Sequence, residues 1–279
     1  MTIFEHLADM ARRRVPHTVS EEWRHRRGRY QPSEDGFDFT PPEPAVGEVP
    51  GPPSYVGIGV RGAEAGRFAR WLVQHHSVRG LPGGFLGLGF FARYAAESFG
   101  DEDVRRYSGW FARPQGMVVG EWTSEYLTQR WIPPLLGRAA PHTHLLVLLR
   151  DPVERYRAEL SKVSPIRSLN VGQYDAAALR CGQYGEHLAQ WIRFFPRAQL
   201  HIIQYESLVA EPVRVLSGAC RFLGLEVPPK VAELPAPVRS LEPLSSAVRD
   251  RLIEFYRPDV AELARLVPEL DLSRWPNFG

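Results

Sequence analysis

The stretch YVGIGVRGAEAGRFARWL, residues 55–72, reads as a buried strand, a small-residue turn and then a helix. Such a turn can present successive backbone N–H groups and a helix N-terminus to an anion, the layout of a phosphate-binding loop. Gly62, Ala63, Ala65 and Gly66 leave room for close approach, and Arg61 and Arg67 bring positive charge. The turn holds no lysine, serine or threonine. Glu64 suits the first turn of a helix through the helix dipole, yet it would repel a phosphate held there. Farther on, His75 and His76 could carry a proton or simply sit at the surface of a helix end.

A second chemical candidate is HLLVLLRDPVERY, 144–156. A continuous apolar strand runs into Arg150, whose guanidinium can clamp phosphate oxygens bidentately or pair with a local carboxylate such as Glu154. Asp151 is a good helix N-cap and Pro152 suits the first helical position.

The elements that must position these groups follow from hydrophobic pattern. Strands are expected at 55–60, 116–121, 144–149 and 199–205. Helices are expected from the turn through Gln74, across Glu125 to Leu136, from Asp151 onward, over 181–195, over 212–225, and over 247–267 with a break near Pro258. In 181–195, Tyr184, Leu188, Trp191 and Phe195 fall on one helical face. Alternating strands and helices, with strands apolar throughout, predict an α/β fold: a central parallel sheet with helices on both faces. Ligands in such sheets bind beyond the carboxyl ends of the strands.

Composition excludes several alternatives. The 279 residues carry a net charge of +2, which gives no support to nucleic-acid binding. No apolar run approaches a membrane span. Residues 1–14, MTIFEHLADMARRR, show no secretory core, and Cys181 and Cys220 match no zinc spacing or disulfide framework. These features predict a reduced, cytoplasmic protein without a metal. Residues 1–53 read as a basic, proline-rich arm and 54–279 as one domain. Nothing in the pattern fixes an oligomeric state.

Four segments together resemble the sulfotransferases that use 3′-phosphoadenosine 5′-phosphosulfate (PAPS), in particular the heparan-sulfate branch and its bacterial relatives. They are IGVRGAEAGRFARWLVQHHSVRG, LLVLLRDPVERY, YGEHLAQWIRFFPRAQLHIIQYESLVAEPVRVLSGACRFLGL and RLIEFYRP. The resemblance implies a P-loop-like sulfotransferase fold and transfer of a sulfuryl group from PAPS to a hydroxyl of a small metabolite or sugar. It implies that the 61–67 turn (Arg61, Gly62, Ala63, Ala65, Gly66, Arg67) faces the phosphosulfate and that Arg150 grips the 3′-phosphate. Tyr184 then lies near the adenosine, though its helical position equally suits the core. Arg239 falls in a cofactor-covering loop. Glu121, in GEWTSEY, matches a strand-end glutamate and could be catalytic or merely exposed.

The chain departs from the resembled pattern where chemistry is done. Gly62 stands at the loop lysine and Ala65 at its hydroxyl. Gly87 and Gly89 stand where acidic and histidine side chains precede a Phe-Phe pair, and Ala158 replaces a supporting serine. Arg61 or Arg67 could replace the lysine's charge, and Glu64, His75 or His76 the base. A different reaction class, or a binding protein that keeps only the scaffold, are the competing expectations.

Overall fold

The computed structural model describes residues 39–60, 63, 65–160, 176–228 and 243–279. In chain order its elements are β1 (Tyr55–Gly59), α1 (Ala65–Leu72), β2 (Val78–Arg79), α2 (Asp101–Gly109), β3 (Val118–Trp122), α3 (Ile132–Ala139) and β4 (His144–Leu149). There follow α4 (Pro152–Leu160), α5 (Ala176–Arg180), α6 (Tyr184–Ile192), β5 (Leu200–Gln204), α7 (Tyr205–Ala210), α8 (Pro212–Phe222) and α9 (Ser246–Leu266). The strands form one parallel sheet in the order β2-β3-β1-β4-β5. The predicted fold class is the observed one.

β4 is buried along nearly its whole length, which is why HLLVLL carries no polar alternation. β1 lies between β3 and β4, with Gly57 beside both Trp122 and Leu146. A side chain at Gly57 would meet the Trp122 indole at 2.1 Å, so only glycine admits that ring across β1. On α1 the buried residues Ala65, Phe68, Ala69 and Leu72 recur at helical spacing, and Phe68 lies 5.3 Å from the Trp122 ring.

Two of these expectations change, and one strand is new. The helix over 125–136 is instead a short 3-10 turn, Ser124–Thr128, followed by α3. Pro133 and Pro134 lack N–H groups and are tolerated only in a first turn, so they set the start of the new helix. The helix over 247–267 does not break: α9 runs through Pro258. The Glu254 carbonyl that loses its partner belongs to an exposed residue, while Tyr256, Val260 and Leu263 are buried along the opposite face. Asp259 adds an anchor by accepting the Gly185 and Glu186 N–H groups at 2.9 Å, capping α6. β2, with two residues, is too short to have left a pattern.

The proline-rich tract is extended but docked on the domain. Phe39 is buried, and its carbonyl accepts the Trp110 indole N–H at 2.9 Å. Val49 forms an antiparallel bridge with Arg113, and Glu48 pairs with Arg79 at 2.5 Å.

Replacing Gly57 by Ala drives a methyl into the Trp122 ring. Overpacking of this kind costs about 1–3 kcal/mol, so the urea midpoint should fall; an unchanged midpoint would mean the indole is not held across β1.

Candidate functional site

The two strands that lead into the chemical candidates end side by side at the carboxyl edge of the sheet. β1 and β4 pair in register with Gly59 beside Leu148. The turn that follows Val60 and the Arg150 turn therefore leave adjacent strands at the same edge, where open parallel sheets bind ligands. Ala63 is buried and Ala65 begins α1, with Gly66 and Arg67 half-buried in its first turn. Arg61, Gly62, Glu64 and Arg239 lie outside the described residues.

Arg150 is 9% exposed and its guanidinium carbon sits 4.5 Å above the Tyr205 ring, a cation–π contact. Its carbonyl accepts the Tyr184 hydroxyl at 2.9 Å. Tyr184 is fully buried, and burial pushes its phenol well above the usual range. Its direct contact here is with the main chain at the end of β4, which it positions. Glu154 pairs with Arg157 at 2.5 Å.

Asp151 performs the capping role its sequence suggests: one oxygen accepts the Val153 and Glu154 N–H groups at 2.9 and 3.2 Å. Its other oxygen accepts the main-chain and side-chain N–H groups of Asn277 at 3.0 and 2.9 Å. Glu206 completes this arrangement, accepting Asp151 N–H at 2.9 Å and the Trp275 indole at 3.0 Å. The segment around Trp275 thus braces the turn beneath Arg150. No pattern in the sequence pointed to Glu206 or Asn277, because their partners are remote in the chain.

Glu121 is fully buried at the end of β3, contrary to an exposed strand-end carboxylate. It accepts Leu88 N–H, the Tyr107 hydroxyl and the Thr123 hydroxyl, each at 2.7 Å, and the Tyr126 hydroxyl at 3.3 Å. Four donors fill the acceptor positions of a carboxylate. Burial still pushes its pKa upward, against the lowering effect of those bonds. The residue ties the 88–91 segment to the sheet and leaves no lone pair for a substrate hydroxyl.

His75 is likewise committed, and at the opposite edge. It lies just before β2, where its main-chain carbonyl accepts Val78 N–H. Nδ1 accepts Ser77 N–H at 3.1 Å, so Nε2 carries the hydrogen and donates to the Glu226 carbonyl at 2.8 Å. It is buried rather than a surface residue, with exposed His76 stacked on it at 4.5 Å. Gly87 has no space for a base: a Cβ there would lie 2.1 Å from the Trp122 carbonyl oxygen. Phe90, Phe91 and Tyr94 are core residues clustered with Tyr107 and Phe99.

The sulfotransferase family model matches residues 65–229, more than half of the chain. Human heparan sulfate glucosamine 3-O-sulfotransferase 6 is 32% identical over 124 residues, covering 40% of this chain and 36% of that protein. Mouse heparan sulfate glucosamine 3-O-sulfotransferase 3A1 is 32% identical over 126 residues, covering 40% and 32%. The chain thus spans about a third of the length of these curated relatives. A sulfotransferase structure from Alicyclobacillus acidocaldarius matches with a TM-score of 0.63 at 22% identity, over 80% of this chain and 98% of that one. One from Mycobacterium avium matches with a TM-score of 0.52 at 11% identity, over 80% and 78%. At these identities the structural matches bear on the fold.

Two outcomes are expected. Glu121→Gln exchanges an acceptor for a donor inside the cage, and an unsatisfied buried group costs about 1–3 kcal/mol; the urea midpoint should fall accordingly. Burial raises the Glu206 carboxyl from 4.5 to about 7. The folded state then holds a proton that the unfolded chain has released, so stability falls as pH rises between those values and levels off above them. Asp259, raised to about 6 by burial, acts in the same direction. Thermal melts from pH 4.5 to 7.5 should show this fall, and Glu206→Gln should flatten it; an equal slope in the variant contradicts the assignment.

Proposed function

The chain belongs to the sulfotransferase family, and from that premise we propose that it binds PAPS across the adjacent carboxyl ends of β1 and β4 and transfers the sulfuryl group to a hydroxyl of a small metabolite or sugar. The observation that carries this reading is the Gly59–Leu148 register, by which the strands leading into the small-residue segment and into Arg150 end side by side. The residues present suit an anionic nucleotide. The N-terminus of α1 and a braced arginine at the neighbouring strand end suit anionic groups. PAPS, when bound, supplies the sulfuryl group and a good leaving phosphate.

The chain's own residues have assigned tasks in this reading. Arg150 holds the 3′-phosphate, and Tyr184, Asp151 and Glu206 keep its turn in position. The turn of Gly62, Ala63, Ala65 and Gly66 receives the 5′-phosphosulfate. Arg61 or Arg67 offsets the charge that grows on the leaving phosphate, work for which a single donor is worth about 2.7–4 kcal/mol elsewhere. Arg239 covers the nucleotide. A proton must leave the acceptor hydroxyl. With Glu121 and His75 engaged by other groups, Glu64 is the carboxylate assigned to take it.

A second reading, nucleotide binding without transfer, is favoured by the closed Gly87 position and the caged Glu121. One experiment separates the two. Wild-type protein should bind the desulfated nucleotide 3′-phosphoadenosine 5′-phosphate (PAP) in a calorimeter, and Arg150→Ala should weaken binding about tenfold or more, the value of hydrogen bonds to a charged group. Equal binding by the variant would overturn the site. Incubation with sulfur-35-labelled PAPS and a panel of hydroxyl acceptors should then move label; binding without any labelled product would leave the second reading standing.

A further inference from the structure

Among the described residues, four indole N–H groups donate to acceptors within the protein. Trp110 donates to Phe39 O at 2.9 Å, Trp131 to Phe91 O at 3.0 Å, Trp191 to Leu127 O at 3.1 Å and Trp275 to Glu206 at 3.0 Å. Trp122 is 5% exposed, and its Nε1 has no acceptor among the described residues. An indole N–H can only donate, so it cannot be satisfied by reorienting. Native folds rarely bury such a donor unmet, and each one that stays unmet calls for an explanation.

Its location gives that donor a meaning. Trp122 is the last residue of β3, at the same carboxyl edge as the turn after β1. It follows Glu121 directly and so faces the opposite side of the sheet. That side is the one with Gly57 and α1, the helix that the anion-binding turn leads into. The Cγ, Cδ2 and Cε3 atoms of the indole lie against Gly57. The ring is held on the Phe68 side as well, and the Trp122 main chain is fixed by donation to Leu86 O at 2.6 Å. The ring is therefore held from two sides, by Gly57 and by Phe68 of α1, the helix that follows the small-residue segment.

We infer that Trp122 is a ligand-binding residue whose indole N–H donates to an oxygen of the nucleotide's 5′-phosphate or phosphosulfate group. This rests on the proposed nucleotide site and adds a contact that the turn's own side chains do not supply. A neutral donor suits the position: it stabilises an oxyanion without placing a second full charge in a buried site.

The test compares PAP with adenosine 3′-monophosphate, which lacks the 5′-phosphate, on wild-type protein and Trp122→Phe. Phenylalanine keeps an aromatic ring against Gly57 and Phe68 and removes only the donor end. The expected result is a PAP dissociation constant raised about tenfold with adenosine 3′-monophosphate binding unchanged. Equal weakening of both ligands, or no weakening of either, would overturn the assignment while leaving the nucleotide site in place. Failure of wild-type protein to bind PAP would overturn the site and this inference together. If the variant does not fold, the Trp122 indole proton resonance of wild-type protein reads the same question. It should move downfield with PAP and stay in place with adenosine 3′-monophosphate, and an unmoved resonance under PAP would sink the idea.

Discussion

The pairing of β1 with β4 is the constraint on which the rest of this molecule depends. Gly59 beside Leu148 decides that the turn following β1 and the arginine following β4 emerge together. Neither is a site alone. A helix N-terminus attracts anions weakly, and a single arginine is as often a partner for a nearby carboxylate. Side by side on a rigid parallel sheet they can divide the phosphates of one ligand. The remaining elements serve that edge. Tyr184 pins the end of β4 through the Arg150 carbonyl, Asp151 starts α4, and Glu206 and Asn277 brace Asp151 from below.

Consecutive residues at the end of β3 show how finely the edge is divided. Glu121 turns to one face and receives four donors, which makes it a structural fastener for the segment carrying Phe90 and Phe91. Trp122 turns to the other face and keeps its donor unmatched among the described residues. A strand alternation of one residue separates a buried carboxylate whose lone pairs are all engaged from an indole whose donor is not. The Trp122 main chain also excludes any side chain at Gly87, whose Cβ would meet its carbonyl oxygen.

Much of the fold was legible because strand and helix periods are local. HLLVLL is buried on both sides and reads so without further information, and Asp151-Pro152 announces a helix start that the hydrogen bonds bear out. Helix ends were less legible where tertiary contacts outweigh propensity. Pro258 stays inside α9 because the packed face and the Asp259 cap hold the helix on either side of it. The site was legible only in part. Sequence shows residue types near one another in the chain, and thus the 61–67 turn and Arg150. It does not show that Glu121 is enclosed by Tyr107, Leu88 and Tyr126, or that both His75 ring nitrogens are engaged. Trp122 escaped notice for the same reason, since an unmet donor is defined by its three-dimensional surroundings.

The central claim is that the ends of β1 and β4 form a single anion site. Amide hydrogen exchange with and without saturating PAP tests it most directly, because slowed exchange reports ordering of each segment separately. The account predicts that PAP slows exchange together in peptides covering 60–68 and 150–155, and that at a PAP concentration near the wild-type dissociation constant Arg150→Ala reduces both effects together. Protection confined to one of the two segments, or to neither, would contradict it.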